Sequence, residues 1–259
     1  MVINRGVKLI SYNVTSHHPS LNSLNHENNG GELIKNDKLR RFYSIGTEKG
    51  IISARRALML SGLDIADPNK RFGLYTTQYG YLHPMPSELN PEQEEHGAEN
   101  EHEIYQTIWN SVQVSPFLIT LSLSNNLLGV LSQELSLQCD CASFLRGNIG
   151  LLSAFSEAEL FLSNGMIDYA LVVASGMGNI THDAQSDGEE DFVEFGVTFI
   201  LAKGERPTLQ DYPTIDISSL SRMYREGNHC AEAVLFINEI ADYMSACVRT
   251  ETASPSLKP

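Results

Sequence analysis

The sequence predicts an α/β fold in which a mixed β-sheet is covered by helices. Three observations carry that expectation. Short segments rich in β-formers alternate along the chain with longer segments whose apolar residues recur every three or four positions. Two stretches, 169–174 (YALVVA) and 192–202 (FVEFGVTFILA), are nearly continuous apolar runs, the pattern of strands buried on both faces. Hydrophobic residues make up 42% and charged residues 19% of the 259, enough for the chain to build a sizeable core.

The elements follow in order. Residues 7–14 are a short apolar run with β-branched side chains and read as a strand, and 15–37, rich in Ser, Asn, His and Gly, read as a loop. Residues 42–63 place Phe42, Ile45, Ile52, Ala57, Leu58 and Leu60 at helical spacing, and Gly62 near the end suits a left-handed cap. Residues 71–78 (RFGLYTTQ) are a strand stopped by Tyr79-Gly80. The acidic, proline-containing stretch 84–100 reads as a solvated loop. Residues 101–112 look helical until Ser115-Pro116, because proline disfavours helix in the residue before it. A second helix is expected at 124–135, a short strand at 141–145, and a strongly apolar helix at 149–162 that stops at Asn164-Gly165. Residues 176–190 read as a polar loop between the two buried strands. After Lys203 the pattern weakens: 231–243 reads as a helix and 250–259 as a frayed tail.

Charge and cysteine content narrow the function classes. The chain carries 18 Lys+Arg against 32 Asp+Glu, a net charge of −14. Such acidity argues against nucleic-acid or anionic-membrane partners, both of which reward cations. No run approaches a membrane span, and the N-terminus reads as a first strand rather than a signal peptide. Four cysteines, Cys139, Cys141, Cys230 and Cys247, are too few for a disulfide framework and fit no zinc spacing, so a reducing cytoplasm and no metal or other cofactor are expected.

Four segments between Arg40 and Lys203, taken together and in order, carry a family resemblance. They are RRFYSIGTEKGIISARRALMLSGLDIADPNKRFGLYTTQYG, SPFLITLSLSNNLLGVLSQELSL, LLSAFSEAELFLSNGMIDYALVVASG and DGEEDFVEFGVTFILAKGE. The pattern resembles the N-terminal half of the β-ketoacyl synthases, condensing enzymes of the thiolase fold. The resemblance implies a domain at 1–203, with 204–259 as an extension in place of the second thiolase half. A half of this kind is expected to leave one sheet face and its helices uncovered.

In that family a cysteine at the N-terminus of a buried helix accepts the acyl chain, and two histidines promote decarboxylation of malonyl-carrier. Cys141-Ala142-Ser143 repeats the family's C-A-S, yet the register points elsewhere. Pro116 lies 32 positions before Asn148 and Gly165 lies 17 after it, the intervals that flank the family's cysteine. The resemblance therefore implies Asn148 at the nucleophile position, with Cys141 as the alternative. An amide cannot form a thioester. The half that carries the family's histidines is expected to have no counterpart here. His17, His18, His96, His102 and His182 fall in polar or acidic stretches, and His229-Cys230 cannot aim both side chains at one point.

The resemblance extends to chain-length factors of type II polyketide synthases, which lack the cysteine and pair with an active ketosynthase, and to short versions in aryl polyene clusters. By that analogy the chain is a non-catalytic partner in polyketide, aryl polyene or fatty-acid-like biosynthesis. Its tunnel-lining residues are Ile104, Tyr105, Ile108, Phe117 and Thr120, and its dimer contacts are Cys141, Phe144 and Leu145. Trp109 is the single tryptophan and an anchor candidate. The implied partner is a full-length ketosynthase, which would also supply the basic dock for an acyl carrier protein. The alternative is a catalytic synthase or a malonyl-carrier decarboxylase that uses Cys141 or Asn148.

Overall fold

The computed structural model describes residues 6–16, 30–80, 123, 125–179, 192–204, 207–224 and 233–252. In chain order these form β1 (Val7–Ser16), α1 (Thr47–Ser61), β2 (Phe72–Tyr79), α2 (Asn126–Glu134), β3 (Asp140–Ser143), α3 (Asn148–Ser163), β4 (Tyr169–Asn179), β5 (Phe192–Lys203), β6 (Thr214–Ile215), α4 (Ile217–Met223) and α5 (Ala233–Thr252). Short 3-10 turns occupy Gly31–Leu33, Asp37–Phe42 and Pro207–Leu209.

Among the described residues the strands form one sheet in the order β3-β2-β4-β5-β1-β6. β2 runs parallel to both β3 and β4, whereas β5 is antiparallel to β4 and to β1, so the sheet is mixed as expected. The apolar runs occupy its centre. All eight residues of β2 are buried, and β4 alternates Ala170, Val172 and Ala174 on one face with Leu171 and Val173 on the other. Helices α1 and α2 cover the second of these faces through Ile51, Ala54, Leu127 and Leu131. Helices α3, α4 and α5 cover the first through Leu151, Phe155, Leu220, Ile237 and Met244. The molecule is thus layered helix, sheet, helix.

Several boundaries differ from the sequence reading. Helix α1 starts at Thr47 rather than at 42, because Asp37–Phe42 winds as a 3-10 turn and Gly46, at φ 75°, turns the chain between them. Gly62 and Gly165 end their helices in the left-handed conformation, as expected. β3 stops at Ser143, two residues short. β4 continues through Gly176 to Asn179, where a loop was expected, because β5 pairs with it over that whole length. The C-terminal segment gives β6, which pairs with β1 at Val7 and Lys8, and two helices that enter the main core, the second running to Thr252. The expectation of a bare sheet face is therefore corrected. α4 and α5 lie on it beside α3.

Candidate functional site

The site that sequence register singled out is the turn from β3 into α3. β3 is tied to β2 by a parallel ladder from Asp140 to Ser143, and three further bonds hold the turn against the same strand. The Phe144 N–H donates to the Thr76 carbonyl at 2.9 Å, the Gly147 N–H to the Gln78 carbonyl at 2.9 Å, and the Thr77 hydroxyl to the Leu145 carbonyl at 2.6 Å. Gly147 sits at φ 87°, ψ −165°, a conformation that is essentially restricted to glycine. Gly150 meets the turn so closely that a Cβ there would stand 1.6 Å from the Leu145 oxygen. Only a backbone with small residues at these two points can reverse this sharply out of a strand and enter a helix at once.

Asn148 is the first residue of α3. It is half-buried, and its Oδ1 is buried with no hydrogen-bond partner. A buried acceptor left unpaired costs about 1–3 kcal/mol. The first turn of α3 also presents backbone N–H groups that have no intrahelical acceptor. Arg146 stands two residues before Asn148, and burial lowers the pKa of its guanidinium.

Cys141 lies within β3 opposite Leu74 and is exposed; it does not stand at a helix N-terminus. Neighbouring Cys139 is half-buried, and its thiol is pushed up to about 11 by burial, with the nearby Cys141 and Asp140 adding to the shift. β3 is the edge strand of the sheet. Leu145 just beyond it is 76% exposed, whereas Phe144 is partly buried against the core beneath α3.

Beneath the turn lies a buried polar network that the sequence reading did not find. Gln78 Nε2 donates to the Ser44 hydroxyl at 2.9 Å, and Thr47 Oγ1 bonds the same hydroxyl at 2.9 Å. Ser44 donates to Asn126 Oδ1 at 2.9 Å, and Asn126 Nδ2 donates to the Phe42 carbonyl at 2.9 Å. The network joins the start of α1, the start of α2 and the end of β2, whose Gln78 carbonyl also holds Gly147. Asn125 precedes α2 without capping it through its side chain. The buried partner is Asn126. Nothing in local sequence pairs Ser44 with a side chain 82 positions away.

The tunnel candidates Ile104, Tyr105, Ile108, Phe117 and Thr120, together with Trp109, lie outside the described residues, as do all eight histidines and Cys230. Among the described residues no three His, Cys, Asp or Glu side chains gather as a metal set, and no helix is long and apolar enough to cross a membrane.

No protein-family model matches the sequence, and no curated protein is similar to it in sequence. Solved structures are similar in fold. One is a type II polyketide synthase acyl-carrier protein in complex with its ketosynthase bound to the hexaketide, at 17% identity and a TM-score of 0.53 over 81% of this chain and 66% of that one. Another is the ishigamide ketosynthase/chain length factor, at 15% identity and a TM-score of 0.53 over 81% of this chain and 61% of that one. A weaker likeness, at 15% identity and a TM-score of 0.46, covers 77% of this chain and 79% of a chain from the complex of a ketosynthase with its chain length factor from Xenorhabdus doucetiae. The chain spans less than two thirds of the first two structures. What the two stronger likenesses show is the fold: six mixed strands between helical layers, in the arrangement of the thiolase-fold ketosynthases and chain-length factors.

Proposed function

We propose that the chain is a non-catalytic, chain-length-factor-like partner of an active ketosynthase in type II polyketide or aryl polyene (or fatty-acid-like) biosynthesis. One observation carries the reading. The tight turn after β3 delivers Asn148, an amide, to the first position of α3. A thiol there would be activated by the helix N-terminus, whereas an amide has no nucleophile to activate. The fold likeness to ketosynthases and to a ketosynthase/chain length factor supports the family setting.

In this reading the partner binds along the open edge of β3, with Cys141, Phe144 and Leu145 at the contact. Ile104, Tyr105, Ile108, Phe117 and Thr120 line the tunnel in which the acyl chain grows. β6, α4 and α5 extend the sheet and cover one of its faces. The net charge of −14 leaves the docking of an acidic carrier protein to the partner. The pair works in the cytoplasm without a metal or other cofactor. Co-expression with the ketosynthase of the same source, followed by pull-down and product mass analysis, tests the reading. A stable pair whose product length changes with Ile108→Ala or Phe117→Ala supports it, and absence of any complex overturns it.

One observation favours a second reading. Asn148 stands beside the free N–H groups of the first turn of α3, donors of the kind that stabilise a developing oxyanion, so malonyl-carrier decarboxylation is the enzyme to assay. Carbon dioxide release by the purified chain that is lost in Asn148→Ala, or in Cys141→Ala, would replace the scaffold reading with a catalytic one.

A further inference from the structure

Two thiols stand two residues apart at the edge strand of the sheet, and both are free. Side chains alternate across a strand, so positions 139 and 141 share a side. Cys141 lies opposite Leu74 in the ladder. Leu74 is part of the cluster beneath α1 and α2, and Cys139 packs against that cluster, which identifies the side. Cys139 is half-buried and Cys141 exposed, so the pair has one sulfur fixed by packing and one open to entry. The Leu74 N–H donates to the Cys139 sulfur. The two sulfurs also feel each other: burial is the first cause that raises the Cys139 pKa, and the charge of Cys141 is the next, ahead of Asp140.

Separation decides what such a pair can do. Two residues of extended strand span about 6.6 Å. A disulfide draws its Cα atoms to about 5.5–6 Å and its sulfurs to about 2 Å, so it would pucker β3 and disturb the ladder that ties it to β2. A metal bridge asks for less. A thiolate–metal bond is about 2.3 Å, so a linear S–metal–S bridge spans about 4.6 Å, which two side chains leaning together reach without moving the backbone. No third His, Cys, Asp or Glu joins the pair among the described residues, so zinc, which takes four ligands, is not served. Copper(I) is a soft cation that two thiolates satisfy. Its charge also relieves the repulsion between two thiolates that stand beside Asp140 in a chain of net charge −14.

We infer that Cys139 and Cys141 form a two-thiolate site for copper(I) on the side of β3 that faces α1 and α2. The metal enters past Cys141, both thiols release their protons to solvent, and two S–Cu bonds replace two S–H bonds with no change in oxidation state. Asp140 alternates to the other side of the strand and is not a ligand. The site needs only β3 and its ladder to β2, so it stands whether or not the chain partners a ketosynthase. The copper is not a cofactor of that proposed function; it is a cation held beside the proposed contact edge.

The test uses the purified full chain, reduced and free of oxygen, with copper(I) supplied as its coloured bathocuproine disulfonate complex. One equivalent of copper is expected to pass to the chain, read as loss of the chelator's colour. X-ray absorption of the copper-loaded chain is expected to show two sulfur neighbours and no other ligand. Cys139→Ala and Cys141→Ser are each expected to lower the affinity about a hundredfold or more, since a single thiol cannot chelate. Cys230→Ser/Cys247→Ser removes the other two cysteines and is expected to leave the affinity unchanged. Circular dichroism verifies that each variant keeps its fold. No transfer of copper to the unmodified chain, a third ligand on the metal, unchanged affinity in either β3 variant, or loss of binding in the Cys230/Cys247 variant overturns the proposal.

Discussion

Gly150→Ala is the substitution whose cost can be worked most directly from the structure. On helix propensity alone it should stabilise, since alanine is favoured over glycine inside a helix by about 1 kcal/mol. The geometry of the turn reverses that sign. The new methyl would stand 1.6 Å from the Leu145 carbonyl oxygen and 2.5 Å from Thr77 Oγ1. The first of these is backbone already fastened to β2, so it cannot rotate away as a side-chain tip can. Relief requires the Leu145 carbonyl to retreat by more than an ångström, which breaks the 2.6 Å bond from Thr77. Overpacking of this severity costs about 3 kcal/mol or somewhat more, and the lost hydrogen bond about 1 kcal/mol. The net expectation is a destabilisation of about 3 kcal/mol. In urea, with a slope of about 2–3 kcal/mol/M, the midpoint falls by about 1 M. Gly129→Ala is the matched control: it lies in α2, is exposed, and has nothing within 4 Å of its would-be Cβ. There only propensity acts, and the midpoint should rise by a few tenths molar. Equal or greater stability of Gly150→Ala would refute the tight turn and, with it, the placement of Asn148.

Glu134→Ala is expected to lose about 3–5 kcal/mol, read as a lower thermal midpoint, because the buried carboxylate accepts from Arg55 Nη2, the Tyr43 hydroxyl and the Lys35 and Asn36 N–H groups. Asn148→Cys should create a thiol that iodoacetamide alkylates at pH 7 faster than Cys141, since the N-terminus of α3 stabilises a thiolate; a sluggish thiol would show that the helix end is not presented to reagents. In the unmodified folded chain Cys141 should react before Cys139 at pH 8, because the Cys139 pKa of about 11 keeps it almost wholly protonated there. Cys139 labelling should climb as the pH rises toward 11, and peptide mapping reads both sites. Mixed with acyl carrier protein alone, the chain should form no complex detectable by titration calorimetry, and a micromolar one would contradict the charge argument.

What the amino-acid order determined by itself was everything set by local pattern. The continuous apolar runs at β4 and β5 announced central strands, and the three-and-four spacing in α1, α2 and α3 announced helices, because those periods are properties of a single segment. Gly62 and Gly165 marked helix ends for the same reason: the left-handed backbone they adopt is a matter of one residue. The place of Asn148 at the head of α3 came from the family resemblance, through its intervals to Pro116 and Gly165.

Tertiary structure decided what depends on distant partners. β4 runs past Gly176 because β5 offers it a ladder, and no local signal records that offer. The network through Ser44, Gln78 and Asn126 brings together three stretches of chain whose separations sequence spacing does not encode. The helix read at 231–243 is α5, but only the fold showed that it runs on to Thr252 and that its apolar side chains lie on the sheet face beside α3. And which side of α3 faces inward was decided only when the sheet claimed Leu151, Phe155 and Leu162.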